Sequence, residues 1–199
     1  MFKKLAGRQP KILEHAHYKK YAVIAPYLPD TGELLFEVRA AHLPHQPGET
    51  CFPGGRIEQG EVPEQAAVRE TTEELLVDAG QIEVVAPLDY LVSPFYTIVY
   101  PFVANLHSYT GTFSKDEVGE VFTVPFRFFL ETPPEVHLNH IQAFPDEPDE
   151  VHSLLDVDEY PWMNAKSPVL FYRYRNKMIW GMTAKFVHNI VELYRSANK

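Results

Sequence analysis

Pattern alone predicts an α/β or α+β domain built on a mixed β-sheet, on three observations. Short apolar runs of strand character fill the middle of the chain, one acid-rich helical stretch interrupts them near residues 62–77, and a helix with an apolar stripe closes the chain. In order, Tyr21 to Leu28 (YAVIAPYL) reads as a strand, Pro29-Asp30-Thr31-Gly32 as a turn, and Leu34 to Ala40 (LLFEVRA) as the second arm of a hairpin. His42 to Cys51 is a loop, and Phe52-Pro53-Gly54-Gly55 a tight turn whose paired glycines permit positive φ. A helix is expected from about Val62, with Pro63 tolerated in its first turn. Ala67, Thr71 and Leu75, with Val68 alongside, form its inward stripe, which places Glu70, Glu73 and Glu74 on a different side.

Further along, Ile82 to Val85, Tyr90 to Val92 and Ile98 to Leu106 read as strands. Val121 to Pro125 is a short apolar segment entering a helix at Phe126 to Leu130. Residues 132–165, rich in Pro, Asp and His, read as a long excursion. Val169 to Arg175 is a strand with Lys177 to Trp180 as its partner, and Met182 to Ser196 is the closing helix, with Phe186, Ile190, Val191 and Tyr194 as its stripe.

Composition bounds the function. At 199 residues with 45% hydrophobic and 13% aromatic side chains, one folded domain spanning residues 1–199 is expected. No apolar run approaches the roughly 18–20 residues of a membrane span. The first twenty residues carry bases without a following apolar stretch, so no secretory signal is expected. A single cysteine, Cys51, excludes an internal disulfide and fits a cytoplasmic location. The net charge of −9 argues against a nucleic-acid partner. That charge is uneven: residues 146–159 hold seven acids and no Lys or Arg, and without them 20 acids face 18 bases. The remainder is nearly balanced and can present a basic pocket to a phosphorylated substrate, while the acidic stretch reads as a solvated loop.

The chemistry concentrates in residues 55–77, GRIEQGEVPEQAAVRETTEELLV. Glu70, Glu73 and Glu74, three and four residues apart on a helix, repel one another, and a cation resolves the conflict. Oxygen-only donors suit Mg²⁺ or Mn²⁺. With Gly55, Glu61 and Arg69, the stretch resembles the Nudix box, G-x5-E-x7-R-E-U-x-E-E-x-G-U, U being a bulky aliphatic residue. Gly55, Glu61, Arg69, Glu70, Glu73, Glu74 and Val77 match; Thr71 stands at an aliphatic position and Leu76 at the second glycine. Gly80 is expected to release the chain from the helix one turn later in that glycine's stead.

Residues 35–55, LFEVRAAHLPHQPGETCFPGG, resemble the added signature of the coenzyme A diphosphatase branch, L-L-T-x-R-[SA]-x3-R-x3-G-x3-F-P-G-G. Leu35, Arg39, Ala40, Gly48, Phe52, Pro53, Gly54 and Gly55 fall in register; Phe36 and Glu37 are substitutions, and Pro44 replaces the second arginine. Residues 116–125, DEVGEVFTVP, and Ile179 to Ala184, IWGMTA, resemble two further elements of that branch.

The resemblance implies the Nudix fold, a mixed sheet sandwiched between helices, and a Mg²⁺- or Mn²⁺-dependent hydrolase that cleaves a diphosphate linkage in a small molecule. It implies that Glu70 and Glu74 are the primary metal ligands, with Glu73 joining for a second ion and a carbonyl of Gly54 or Gly55 as a further donor. Arg69 and Glu61 would form a structural ion pair, with Arg69 also orienting Glu70. Glu117, or else Glu120, would activate water, and Arg39 would contact the substrate phosphates. Coenzyme A is the first substrate expected; ADP-ribose or another nucleoside diphosphate derivative is the alternative, given Pro44. A non-catalytic nucleotide-binding module is a third reading, favoured only by Leu76, and a homodimer stands beside the monomer as an assembly. The histidine pairs His42/His45 and His137/His140 lack a third ligand at zinc spacing, and Cys51 reads as a small buried apolar residue.

Overall fold

A computed structural model describes residues 6–143, 145–155, 162 and 164–199. The chain divides into two compact units, Met1–Arg127 and Phe128–Lys199.

The first unit starts with the predicted hairpin. Strands β1 (Lys19–Leu28) and β2 (Glu33–Arg39) run antiparallel around the Pro29–Gly32 turn, with Tyr27 opposite Leu34. Two short strands follow, β3 (Thr50–Cys51) on β2 and β4 (Gly54–Arg56) on β1. Helix α1 (Pro63–Leu75) comes next, then a single 3₁₀ turn and β5 (Ile82–Pro87), β6 (Leu91–Ser93) and β7 (Thr97–Leu106). Strand β7 lies parallel to β1, Lys19 opposite Thr97 through Tyr27 opposite Asn105, and every other pairing in the sheet is antiparallel. A parallel pair needs a long crossover, and here the crossover carries α1 back over the sheet. Strand β8 (Val118–Pro125) closes on β2. It starts three residues earlier than the apolar pattern suggests, because its exposed Gly119 and Glu120 carry no apolar signal.

Helix α1 is held by small residues. Ala66 and Ala67 bury completely against Ala22, Ile24, Phe102 and Ala104 of the sheet. Toward its end, Leu75 packs on Leu35 and Leu106. Because side chains alternate along a strand, β2 therefore turns Leu35, Glu37 and Arg39 toward α1. Its other face holds Phe36, stacked on Phe52 at 4.9 Å and on Phe122 at 5.4 Å.

Two expectations for α1 need correction. Glu74 does not lie apart from the inward stripe; it is 2% exposed. It stands seven residues after Ala67, close to two full turns, so it returns to the same side of the helix. Nor does Gly80 end the helix. Leu76 itself takes the left-handed C-cap conformation, φ 53° and ψ 50°, and Gly80 sits in the following 3₁₀ turn without a positive φ. The chain thus makes the turn that the missing glycine would make, with a residue whose Cβ opposes it.

Helix α2 (Phe126–Glu131) leads into the second unit, where β9 (Glu135–Gln142), α3 (Pro148–Leu155), β10 (Asn164–Tyr174), β11 (Lys177–Trp180) and α4 (Gly181–Ala197) follow. The three strands form an antiparallel sheet in the order β11-β10-β9. Helix α4 packs on β10 and β11, burying Ala184, Phe186, Val187, Ile190 and Val191. Phe129 meets Tyr172 edge-on at 5.1 Å, and Arg195 donates to the Leu130 carbonyl at 2.8 Å. The excursion over 132–165 contains regular structure: β9, which pairs with β10 from Glu135 to Gln142, and α3. Asp156, Asp158 and Glu159 of the acidic stretch lie outside the described residues. Among the described residues no helix is long and apolar enough to cross a membrane.

Candidate active site

The Phe52–Gly55 turn brings the start of the box against its helix. The Gly54 N–H donates to Glu74 Oε2 at 2.7 Å. Gly54 has φ 151°, and a Cβ there would lie 2.3 Å from the Ala22 carbonyl oxygen. A side chain at Gly55 would instead meet the Glu70 carboxylate, 2.3 Å from its Cδ. The first glycine thus fits the backbone of β1, and the second leaves room for an acid.

Arg69 organises the outer part of the cluster. Its guanidinium donates to Glu61 at 2.8 and 3.2 Å, to Glu70 Oε1 at 2.9 Å, to Glu73 Oε2 at 3.3 Å and to the Arg56 carbonyl at 3.2 Å. Glu61 is the bidentate partner, and its carboxyl titrates below the ordinary range because of that hydrogen bond and one from the Glu58 N–H. These contacts shift the Arg69 pKa further upward. Glu73 is the exposed member, with 57% of its side chain open to solvent.

The inner acids differ. Burial pushes the Glu74 carboxyl up to about 9, the neighbouring charge of Glu37 adds to the rise, and the Gly54 N–H opposes it. Burial also raises Glu70, against the stabilising pull of Arg69. The charge of Glu117 is felt at Glu37, Glu70 and Glu74. Arg69 is bonded to Glu61, Glu70 and Glu73 but not to Glu74, so among the described residues the most buried acid of the box has no guanidinium partner.

Glu117 is held near the cluster by contacts that the sequence pattern does not announce. The last turn of any α-helix leaves carbonyls to be satisfied. The Thr112 hydroxyl donates to the Leu75 carbonyl at 2.7 Å, and the Ser114 N–H to the Glu74 carbonyl at 2.8 Å. Ser114 in turn accepts from the N–H groups of Glu117 and Val118, and the Glu117 carbonyl accepts from the Ala40 N–H at 2.9 Å. The loop is therefore fastened to the end of α1 and to the end of β2. Glu120 stands opposite Val38 in the β2–β8 register, on the face away from Glu37.

Two residues of the upstream motif also reach this region. Arg39 donates from Nε to the His45 carbonyl at 3.2 Å, shaping its own loop, and its charge reaches Glu37 and Cys51. Cys51 is more than an apolar filler: its thiol donates to Glu37 Oε1 at 3.3 Å. Burial and the adjacent Glu37 raise the thiol pKa, so it stays protonated as a donor. Glu37, a departure from the upstream signature, is a site residue that motif matching missed; a charged side chain inside an otherwise apolar strand was the available signal.

Among the described residues, no three His, Cys, Asp or Glu side chains are gathered closely enough to hold an ion as they stand. The donor set nonetheless suits a hard cation: it is all carboxylate, part of it is deeply buried, and Glu37 Oε2 has no hydrogen-bond partner. A cleft of about 430 Å³ along the outer side of α1, lined by Glu64, Gln65, Val68, Arg69, Thr72 and Ala79, shares only Arg69 with these acids.

Residues 18–174 match the NUDIX domain family, a span that runs across both compact units. The chain is similar to the peroxisomal coenzyme A diphosphatase NUDT7 of Mus musculus, 38% identical over 127 residues, covering 62% of this chain and 53% of that protein. It is also similar to the peroxisomal coenzyme A diphosphatase ndx-8 of Caenorhabditis elegans, 35% identical over 140 residues, covering 65% of this chain and 54% of that one. This chain spans about half the length of both relatives. Among solved structures, a MutT/nudix family protein from Enterococcus faecalis superposes with a TM-score of 0.53 at 15% identity, over 99% of this chain and 73% of that one, which bears on the fold alone. The match over residues 18–174, with the box glycines, Arg69 and the acids gathered as described, means that this chain belongs to the NUDIX family.

Proposed function

We propose that this chain is a divalent-cation-dependent hydrolase that cleaves the diphosphate linkage of coenzyme A or a coenzyme A derivative, giving 3′,5′-ADP and 4′-phosphopantetheine. The observation that carries the reading is Glu74, buried on the inner side of α1, bonded to the Gly54 N–H and left without a guanidinium partner while Glu70 packs over Gly55. Glu70 and Glu74 would hold Mg²⁺ or Mn²⁺, and Glu73, on the exposed flank, would join for a second ion. Such an ion supplies Lewis-acid neutralisation of charge on the diphosphate oxygens. Arg69 keeps Glu70 oriented through the 2.9 Å bond and anchors the box turn through Arg56 and Glu61. Gly54 fits the turn onto β1 and Gly55 leaves room for Glu70, and the substrate diphosphate would lie beside this turn.

Water needs a base. Glu117 is the better candidate, because its charge reaches Glu37, Glu70 and Glu74 while Glu120 stands on the other face of the strand pair. It would take the proton as water attacks one phosphorus and the other phosphate leaves. Arg39 is the upstream cation available to the substrate phosphates. One observation favours the second reading, hydrolysis of ADP-ribose or another nucleoside diphosphate derivative. Pro44 stands in place of an arginine, and Arg39 already spends one donor on the His45 carbonyl. The binding-module reading loses its one support, since Leu76 ends α1 where the family glycine would. A cytoplasmic location and one functional domain over the whole chain complete the proposal.

The test is incubation of the purified chain with coenzyme A and Mg²⁺, with products identified by mass spectrometry. Release of 3′,5′-ADP and 4′-phosphopantetheine, lost on chelation of the metal, is the expected result. Cleavage of ADP-ribose but not coenzyme A would replace the first reading by the second. Tight nucleotide binding without turnover of either would leave a binding module.

A further inference from the structure

Glu37 is 1% exposed, in the middle of a strand whose neighbours Leu34, Leu35 and Phe36 are equally buried. A carboxyl group is costly in such a place unless both oxygens find partners. Only one does: Oε1 accepts from the Cys51 thiol at 3.3 Å, and Oε2 accepts nothing. The alternation of β2 turns Glu37 to the α1 side, two residues on from Leu35, which touches Leu75. There it supplies the strongest carboxylate repulsion felt by Glu74, and it feels Glu117 in turn. Among the described residues Arg39 is the cation whose charge stabilises it, and that guanidinium is turned to the His45 carbonyl. The coenzyme A diphosphatase signature carries threonine at this place, so the acid departs from that pattern.

We infer that Glu37 is an additional carboxylate of the divalent-cation centre, supplied by β2 rather than by the box helix, with its unpartnered Oε2 as the donor and Cys51 as the residue that positions it. The inference rests on reading the box acids as a cation site. A hard ion held by Glu37 and Glu74 would satisfy the unpartnered oxygen and offset the repulsion between two buried acids at once. It also gives the Cys51 thiol a role: donating to Oε1, it leaves Oε2 free to serve as the donor. The centre would then draw on two elements of the fold, and part of its affinity would depend on the β2–β3 pairing that sets Cys51 opposite Glu37.

The probe is Mn²⁺, titrated into the full chain with free ion followed by electron paramagnetic resonance, and the melting temperature recorded with and without the ion. Glu37→Gln keeps the shape and a partner for Cys51. It is expected to fold, to melt without metal at or above the wild-type temperature, to bind Mn²⁺ at least about tenfold more weakly, and to gain less melting temperature from the ion. Glu37→Thr, the residue of the signature, should behave alike and serves if the glutamine variant is unstable. Glu37→Asp keeps the charge but shortens the reach. Full Mn²⁺ affinity in Glu37→Gln would overturn the inference, and full affinity restored by Glu37→Asp alone would reduce Glu37 to a distant charge. A wild-type chain that binds no Mn²⁺ would overturn the cation-site reading itself, and the inference with it.

Discussion

Glu70, Glu73 and Glu74 on α1, and Asp146, Glu147, Asp149 and Glu150 at the start of α3, are similar strings in the sequence. Their settings are opposite. The four acids around α3 are all exposed, and two of them stand in its first turn, where the helix dipole favours negative charge. Water reaches all four, although Glu150 shares a hydrogen bond with Glu147 that raises its carboxyl. On α1, a glycine turn, a buried strand acid and a fastened loop surround Glu74, so that a charge on it would be poorly hydrated and, among the described residues, unpaired with a cation. Density of acids is shared by both stretches; what differs is whether the fold withholds water from them, and only the helix on the sheet does so. Glu73 makes the same point within a single helix, since one residue before Glu74 the side chain is exposed and rests on Arg69.

The sharpest break in the comparison comes from neutralising one acid in each stretch. Glu74→Gln should lower metal-dependent hydrolysis at least about a hundredfold in initial-rate assays. Glu150→Gln in the same assay should stay within about twofold of wild type, because exposed charges contribute little. A large loss in the second variant would show that exposure had misled us about the acidic stretch.

The two box glycines separate scaffold from site. Gly54→Ala forces a Cβ against the backbone of β1 and should cost about 3 kcal/mol or more by denaturant titration. Gly55→Ala meets only the far end of a flexible side chain, so it should melt close to wild type while Mn²⁺ affinity drops about tenfold as Glu70 is displaced. Equal losses of stability in both would refute that division.

pH probes the burial directly. Without metal, Glu37 at about 7 and Glu74 at about 9 both lie above the ordinary 4.5, so the folded state holds protons that the unfolded chain releases. Their stabilising contribution is complete below about pH 4.5 and is lost as pH rises through 7 and then 9. The metal-free melting temperature should therefore fall from pH 5 to pH 9, and Glu74→Gln should flatten the upper part of that fall. A melting temperature that rises over this range would contradict the burial of both acids. The smallest effect is expected at Leu76: glycine there relieves the left-handed strain and should add about 1 kcal/mol of stability, with Glu74 undisturbed.

Much of the architecture was written in local patterns. The hairpin at Pro29–Gly32, the start of α1 at Pro63, β7 and α4 all follow from turn residues and apolar periods that need no knowledge of distant contacts. The box acids and Arg69 were legible for the same reason, as spacing on a helix. Strand β9 was not: seven of its eight side chains are exposed, so it carries no alternation, and it exists through backbone pairing with β10.

The sequence by itself determined which residue types the candidate site has to work with and the helix that spaces three of them. Tertiary structure decided which acids lose their water. Glu74 is buried because the Gly54 turn and β1 close over it, Glu37 faces it because β2 lies beneath the end of α1, and Glu117 comes near because Thr112 and Ser114 satisfy the carbonyls at the end of α1. Burial and convergence are properties of segments far apart in the chain, and the free energy of a charge depends on everything that displaces its water, which no local pattern encodes.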